Sequence, residues 1–126
     1  MGHGVRSVED ENLLKELADK QIPLELCPTS IINTGVYKSF SEWPLKKLMD
    51  SGAMITINTD DPSIEGTSIK KEYQKLIDTF GIGKEQVIMF LENSVNASFA
   101  DDAVKEKMLN TIDSEINLNK KTKCLD

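Results

Sequence analysis

An apolar run at residues 53–57 breaks off into Asn58-Thr59-Asp60-Asp61-Pro62. This junction limits the possible folds more than any other stretch. A buried strand that ends in two adjacent carboxylates brings negative charge to the mouth of a sheet. In parallel α/β proteins that is where sites sit, at the C-terminal ends of the strands. One carboxylate there can bind a metal while its neighbour, pointing elsewhere, faces a substrate. Asp61 also has a plainer task open to it, capping a helix with Pro62 at the first helical position. Histidine occurs once, as His3 between Gly2 and Gly4. A lone histidine near a terminus is ordinarily just solvated.

The rest of the chain alternates. Ser7 with Asp10 three residues on matches a capping box, followed by the helical stripe Leu13, Leu14, Leu17 and Ala18. Residues 22–27 read as a short buried strand. Residues 28–43, rich in Ser, Thr, Asn and Gly, read as a long functional or mobile connection. Pro44 opens a helix with Leu45, Leu48 and Met49 inward, stopped at Ser51-Gly52. After the strand at 53–57, Ile69, Tyr73, Leu76, Ile77 and Phe80 share a helical face closed by Gly81. Val87, Ile88, Leu91 and Val95 mark the next helix, and Val104, Met108 and Ile112 the last. Residues 117–126 form a polar tail expected to fray, its Lys120, Lys121 and Lys123 solvated.

Helix, strand, helix, strand, then helices argues for parallel strands with crossover helices. The fold class expected is therefore α/β. Two strands, with residues around His3 as the end of a third, make a poor parallel sheet by themselves. The imbalance suggests part of something larger, with an unpaired edge that calls for self-association or a partner chain.

Composition narrows the function. The 126 residues carry a net charge of -6, with 21 acidic and 15 basic side chains, which disfavours nucleic acid. No apolar run approaches the roughly 20 residues of a membrane helix. No leader pattern is visible, and the two cysteines, Cys27 and Cys124, are too far apart to suggest a disulfide scaffold. Both read as reduced thiols in a cytoplasmic protein. Cys27 reads as a small buried apolar residue, with no obvious base to make it a nucleophile.

Three motifs taken in order then point to a family. Gly2-His3-Gly4 is followed by Glu25-Leu26-Cys27-Pro28-Thr29-Ser30, and then by Thr56-Ile57-Asn58-Thr59-Asp60-Asp61-Pro62. Glu72-Tyr73 and residues 93–99 come after. From Gly2 to about Ile112 the chain resembles the C-terminal third of an adenosine deaminase, a zinc-dependent purine nucleoside hydrolase of (β/α)8 TIM-barrel fold. The resemblance implies a partial barrel, from the end of strand six through strand eight and the C-terminal helices, over residues 1–116. It implies hydrolysis of adenosine to inosine and ammonia. His3 would be the catalytic residue that orients and helps deprotonate the water activated by zinc. Asp60 would be a zinc ligand, and Asp61 would hydrogen-bond the purine. Residues 67–73 look more like the adenosine enzymes than the AMP or adenine deaminases.

The family's remaining zinc ligands are an N-terminal His-x-His pair and a later histidine; its proton donor is the glutamate of a His-Ala-Gly-Glu motif. With one histidine, the chain cannot supply them. It is therefore expected to bind zinc weakly or not at all and to be inactive in isolation, complete only with an upstream segment. The alternatives are a non-catalytic remnant or interaction module, or a deaminase of another amino-purine. Ile31 stands where the family usually has asparagine, and Trp43 where histidine is common.

Overall fold

The computed structural model describes residues 1–122. A 3-10 turn at Val5–Glu9 leads into helix α1 (Glu11–Asp19), strand β1 (Leu24–Leu26) and helix α2 (Pro28–Asn33). A 3-10 turn at Phe40–Glu42, helix α3 (Leu45–Asp50), strand β2 (Ile55–Ile57) and the short helix α4 (Pro62–Glu65) follow. Helices α5 (Ile69–Phe80), α6 (Lys84–Ala97) and α7 (Asp102–Thr122) complete the order.

The strands are parallel, with Leu24 opposite Ile55 and Leu26 opposite Ile57. On the other side of β1, Gly2 bridges Glu25 in parallel. There the Glu25 N–H donates to the Met1 carbonyl at 2.9 Å, and the His3 N–H donates to the Glu25 carbonyl at 3.0 Å. Strand β1 is thus the middle of a three-segment ladder. The expected α/β class and the third strand end at His3 are both present.

Strand β2 is buried along its whole length, as a parallel strand covered on both faces should be. Leu24, Leu26, Ile55, Leu45, Leu48, Leu76 and Phe90 are fully enclosed around the ladder. Trp43 packs edge-on against Phe80, with centroids 5.8 Å apart, so this departure from the family pattern is a core residue. Asn93 of α6 donates its side-chain amide to the Ile55 carbonyl at 2.9 Å. The Met54 carbonyl pairs with β1, so alternation turns the Ile55 carbonyl to the outer edge of β2. Asn93 therefore occupies an edge acceptor that would otherwise be unpaired.

Several expectations are corrected. Asp10, not Ser7, caps α1: its carboxylate accepts from the Asn12 and Leu13 N–H groups at 3.0 and 3.1 Å. Ser7 instead donates to the Gly4 carbonyl at 2.7 Å, inside the 3-10 turn. The stretch 28–43 is not one long loop, because it begins with α2 and contains a second 3-10 turn. On α5, Ile69 and Ile77 are exposed; the buried positions are Glu72 and Leu76. The backbone of α7 runs to Thr122, into the stretch expected as a tail. Residues 123–126, with Lys123 and Cys124, lie outside the described residues.

Candidate active site

The ladder delivers three chemically active side chains to one end. His3 ends the first segment, Cys27 follows β1, and Asp60 lies just beyond β2. One ligand-type atom from each lies within 4.8 Å of the others. The His3 Nε2 is 3.6 Å from Asp60 Oδ2, too long for a hydrogen bond and short enough for a shared ligand. Ser30, in α2, donates to the same Asp60 oxygen at 2.6 Å, which fixes the carboxylate.

The backbone at this end is left-handed at His3 (φ 54), Gly4 (φ 67) and Asp60 (φ 50). Non-glycine residues adopt such values at a cost, and they cluster at functional sites; Gln21 (φ 50), after α1, is the other such residue among those described. Each reversal re-aims a side chain as its strand ends. At Gly4 glycine is also required by space. A Cβ there would lie 2.8 Å from Leu24 Cδ2 and 2.9 Å from Met1 Sδ. Gly4→Ala should therefore lower unfolding stability by about 1–3 kcal/mol, read as a lowered urea midpoint. An unchanged midpoint would mean that the first segment does not hold its place in the ladder.

Asp61 performs the cap that its sequence allows. Its Oδ1 accepts from the Ser63 and Ile64 N–H groups at 3.1 and 3.2 Å, with Pro62 opening α4. Cys27 reads from the sequence as packing; the structure adds it to the site. Burial above all, with Asp60 nearby, raises its thiol to about 11, so the sulfur is protonated at neutral pH. No spacing rule would have grouped residues 3, 27 and 60, because only the parallel ladder brings them together.

A buried carboxylate supports the site from behind. Glu72 of α5 is fully enclosed. It accepts from the Thr29 N–H at 2.8 Å, from the Thr29 and Thr67 hydroxyls, and from the Lys75 ammonium at 3.5 Å. The Thr29 N–H is one of the donors that a helix start leaves unpaired. Cys27, the N-cap of α2, supplies no side-chain cap, so the remote Glu72 does this. It anchors the turn that carries Ser30, and through Ser30 it sets Asp60.

The described residues fit a metal in donor chemistry. A histidine, a thiol and a carboxylate are all zinc ligands. Beside them opens a groove of about 540 Å³, lined by Met1, His3, Arg6, Ser30, Ile31, Asp60 and others, within the usual range for a small-molecule site. No helix among the described residues is long and apolar enough to cross a membrane.

Parallel strands thus bring a histidine, a thiol and a carboxylate to their carboxyl ends, where α/β proteins carry their sites. The adenosine deaminase family model matches residues 1–115, and the chain belongs to that family. It is 40% identical over 109 residues to an adenine deaminase of Rhizobium johnstonii, covering 86% of this chain and 34% of that protein. It is 34% identical over 113 residues to an adenosine deaminase of Clostridium acetobutylicum, covering 90% of this chain and 34% of the relative. Among solved structures, an adenine deaminase from Arthrobacter aurescens superposes with a TM-score of 0.88 at 26% identity, covering 92% of this chain and 36% of that one. The chain thus spans about a third of the length of the curated relatives it matches.

Proposed function

We propose that the chain supplies one part of the active site of a zinc-dependent 6-aminopurine deaminase, with adenosine as the substrate suggested by residues 67–73. The observation that carries this is the meeting of His3 and Asp60, 3.6 Å apart, at one end of the ladder in a chain of this family. Residues 1–116 are then the last part of a (β/α)8 barrel, the three ladder segments being its strands six to eight. The setting is cytoplasmic purine metabolism.

In the reaction, water adds at C6 of the purine and ammonia leaves, giving inosine from adenosine. A bound zinc supplies activation of water near neutral pH. Asp60 holds the metal, and Ser30 keeps one carboxylate oxygen in place. His3 takes a proton from the attacking water and orients it. Asp61 spends Oδ1 on the α4 cap and holds the purine edge through Oδ2. Further histidine ligands must come from elsewhere, since this chain has one histidine, and so must the glutamate of a His-Ala-Gly-Glu motif, which this sequence does not contain. The isolated chain is therefore inactive, and its open sheet edge favours an upstream barrel segment or a second copy.

The same reaction on adenine is the second reading, favoured by the 40% identity to the Rhizobium johnstonii enzyme. Purified chain combined with the upstream two-thirds of a barrel separates the two. Adenosine, adenine and AMP are each followed by ultraviolet absorbance. Turnover of adenosine well above the others supports the first reading, and a preference for adenine the second. No turnover of any, after verified association, counts against both and for a non-catalytic remnant.

A further inference from the structure

We infer that His3, Cys27 and Asp60 together form a three-ligand site for a thiophilic divalent cation such as zinc, built wholly from this chain. This rests on the reading of Asp60 as a metal ligand and adds two partners to it. Residue spacing alone leaves Asp60 with too little help to hold a metal; the ladder changes that.

Three observations carry the inference. First, the donor atoms are already gathered, all within 4.8 Å of one another. The 3.6 Å between His3 Nε2 and Asp60 Oδ2 is close to the about 3.4 Å that separates two ligands bonded at about 2.1 Å to a tetrahedral ion. Second, the three residues come from adjacent parallel segments whose register is fixed by backbone pairing. Asp60 is further set by Ser30, so what remains is for the half-exposed His3 ring and the Cys27 sulfur to close on the ion. Third, the Cys27 thiol donates only weakly, to the Glu25 carbonyl at 3.7 Å, and its sulfur already faces the Asp60 backbone.

The chemistry balances without any other reagent. As the metal–sulfur bond forms, the thiol proton leaves to solvent, and nothing is oxidised or reduced. His3 cannot serve both tasks at once, because a nitrogen bonded to a metal has no lone pair left to take a proton. The chain alone would hold its ion in a catalytically silent arrangement. Joined to a segment that brings more histidines, it would release His3 and Cys27 and keep Asp60.

The test uses the 126-residue chain carrying Cys124→Ser, so that Cys27 is the remaining thiol. It is titrated with cobalt(II) and read by absorbance, with circular dichroism of each variant as the folding control. The expected result is saturable binding with a near-ultraviolet thiolate-to-cobalt band, abolished by added zinc. That band needs no change at Cys27 itself. Cys27→Ser should remove the band and weaken binding by more than about tenfold, a loss that even an outer-shell partner can cause. Asp60→Asn should weaken it comparably. No binding, or cobalt bound without the band and indifferent to Cys27→Ser, overturns the three-ligand site. If that same binding is lost in Asp60→Asn, the role of Asp60 stands while this inference falls. Undiminished binding in Asp60→Asn sinks both.

Discussion

Asp60→Asn all but abolishes deamination in the enzyme reconstituted from this chain and an upstream barrel segment. The expected loss in kcat/KM exceeds about a hundredfold, because outer-shell partners of a metal already cost about 10–100-fold when removed. Asparagine is the right replacement. It tolerates left-handed backbone better than most residues, so the φ of 50° at this position is kept. Its side-chain oxygen can still accept from Ser30. What is lost is the negative charge and the basic oxygen that a metal binds. The measurement is steady-state kinetics at saturating zinc, with bound metal quantified in both proteins. Activity within about tenfold of the parent would remove Asp60 from the metal's ligands and leave its Ser30 contact as a purely structural feature.

Glu72→Leu should damage the fold itself. Leucine fills much of the same volume, but it leaves the Thr29 N–H and the two threonine hydroxyls without their acceptor. An orphaned buried polar group costs about 1–3 kcal/mol. The Lys75 ammonium is partly exposed and can turn to water, so its share is discounted. A total near 3 kcal/mol is expected, a large part of the 5–15 kcal/mol that holds a typical domain together. Glu72→Gln keeps one acceptor oxygen and should lose about half as much. Urea unfolding followed by circular dichroism reads both. A loss below about 1 kcal/mol for leucine would mean that α2 is anchored by its apolar contacts, and that Glu72 does not set the Ser30–Asp60 pair.

The parts legible in the sequence were those whose signal is periodic or abrupt. The apolar run at residues 53–57 marked β2, and Leu45 with Leu48 marked α3. Helix α2 was hidden because six residues carry no period: Ile31 and Ile32 are adjacent, and Thr29 and Ser30 are residues that equally suit a loop. Its first turn is tied to Glu72, far along the chain, which no local pattern announces. At the first helix two capping residues compete. Asp10 prevails because its carboxylate meets two N–H groups, while Ser7 is taken up by the preceding turn. Of the candidate site, Asp60 was marked by its place after an apolar run, and His3 by the family resemblance rather than by residue type. Cys27 was not, because a buried thiol and a metal-binding thiol look alike until the strands are placed side by side.

The left-handed backbone at His3 and Asp60 has a consequence on an evolutionary scale. A side chain held in that conformation carries a standing cost of about 1–3 kcal/mol, which glycine would avoid. Selection for folding alone therefore pulls both positions toward glycine, while leaving Leu24 and Ile55 where they are. In a lineage released from the chemistry, these two positions are where the fold would accept glycine most readily.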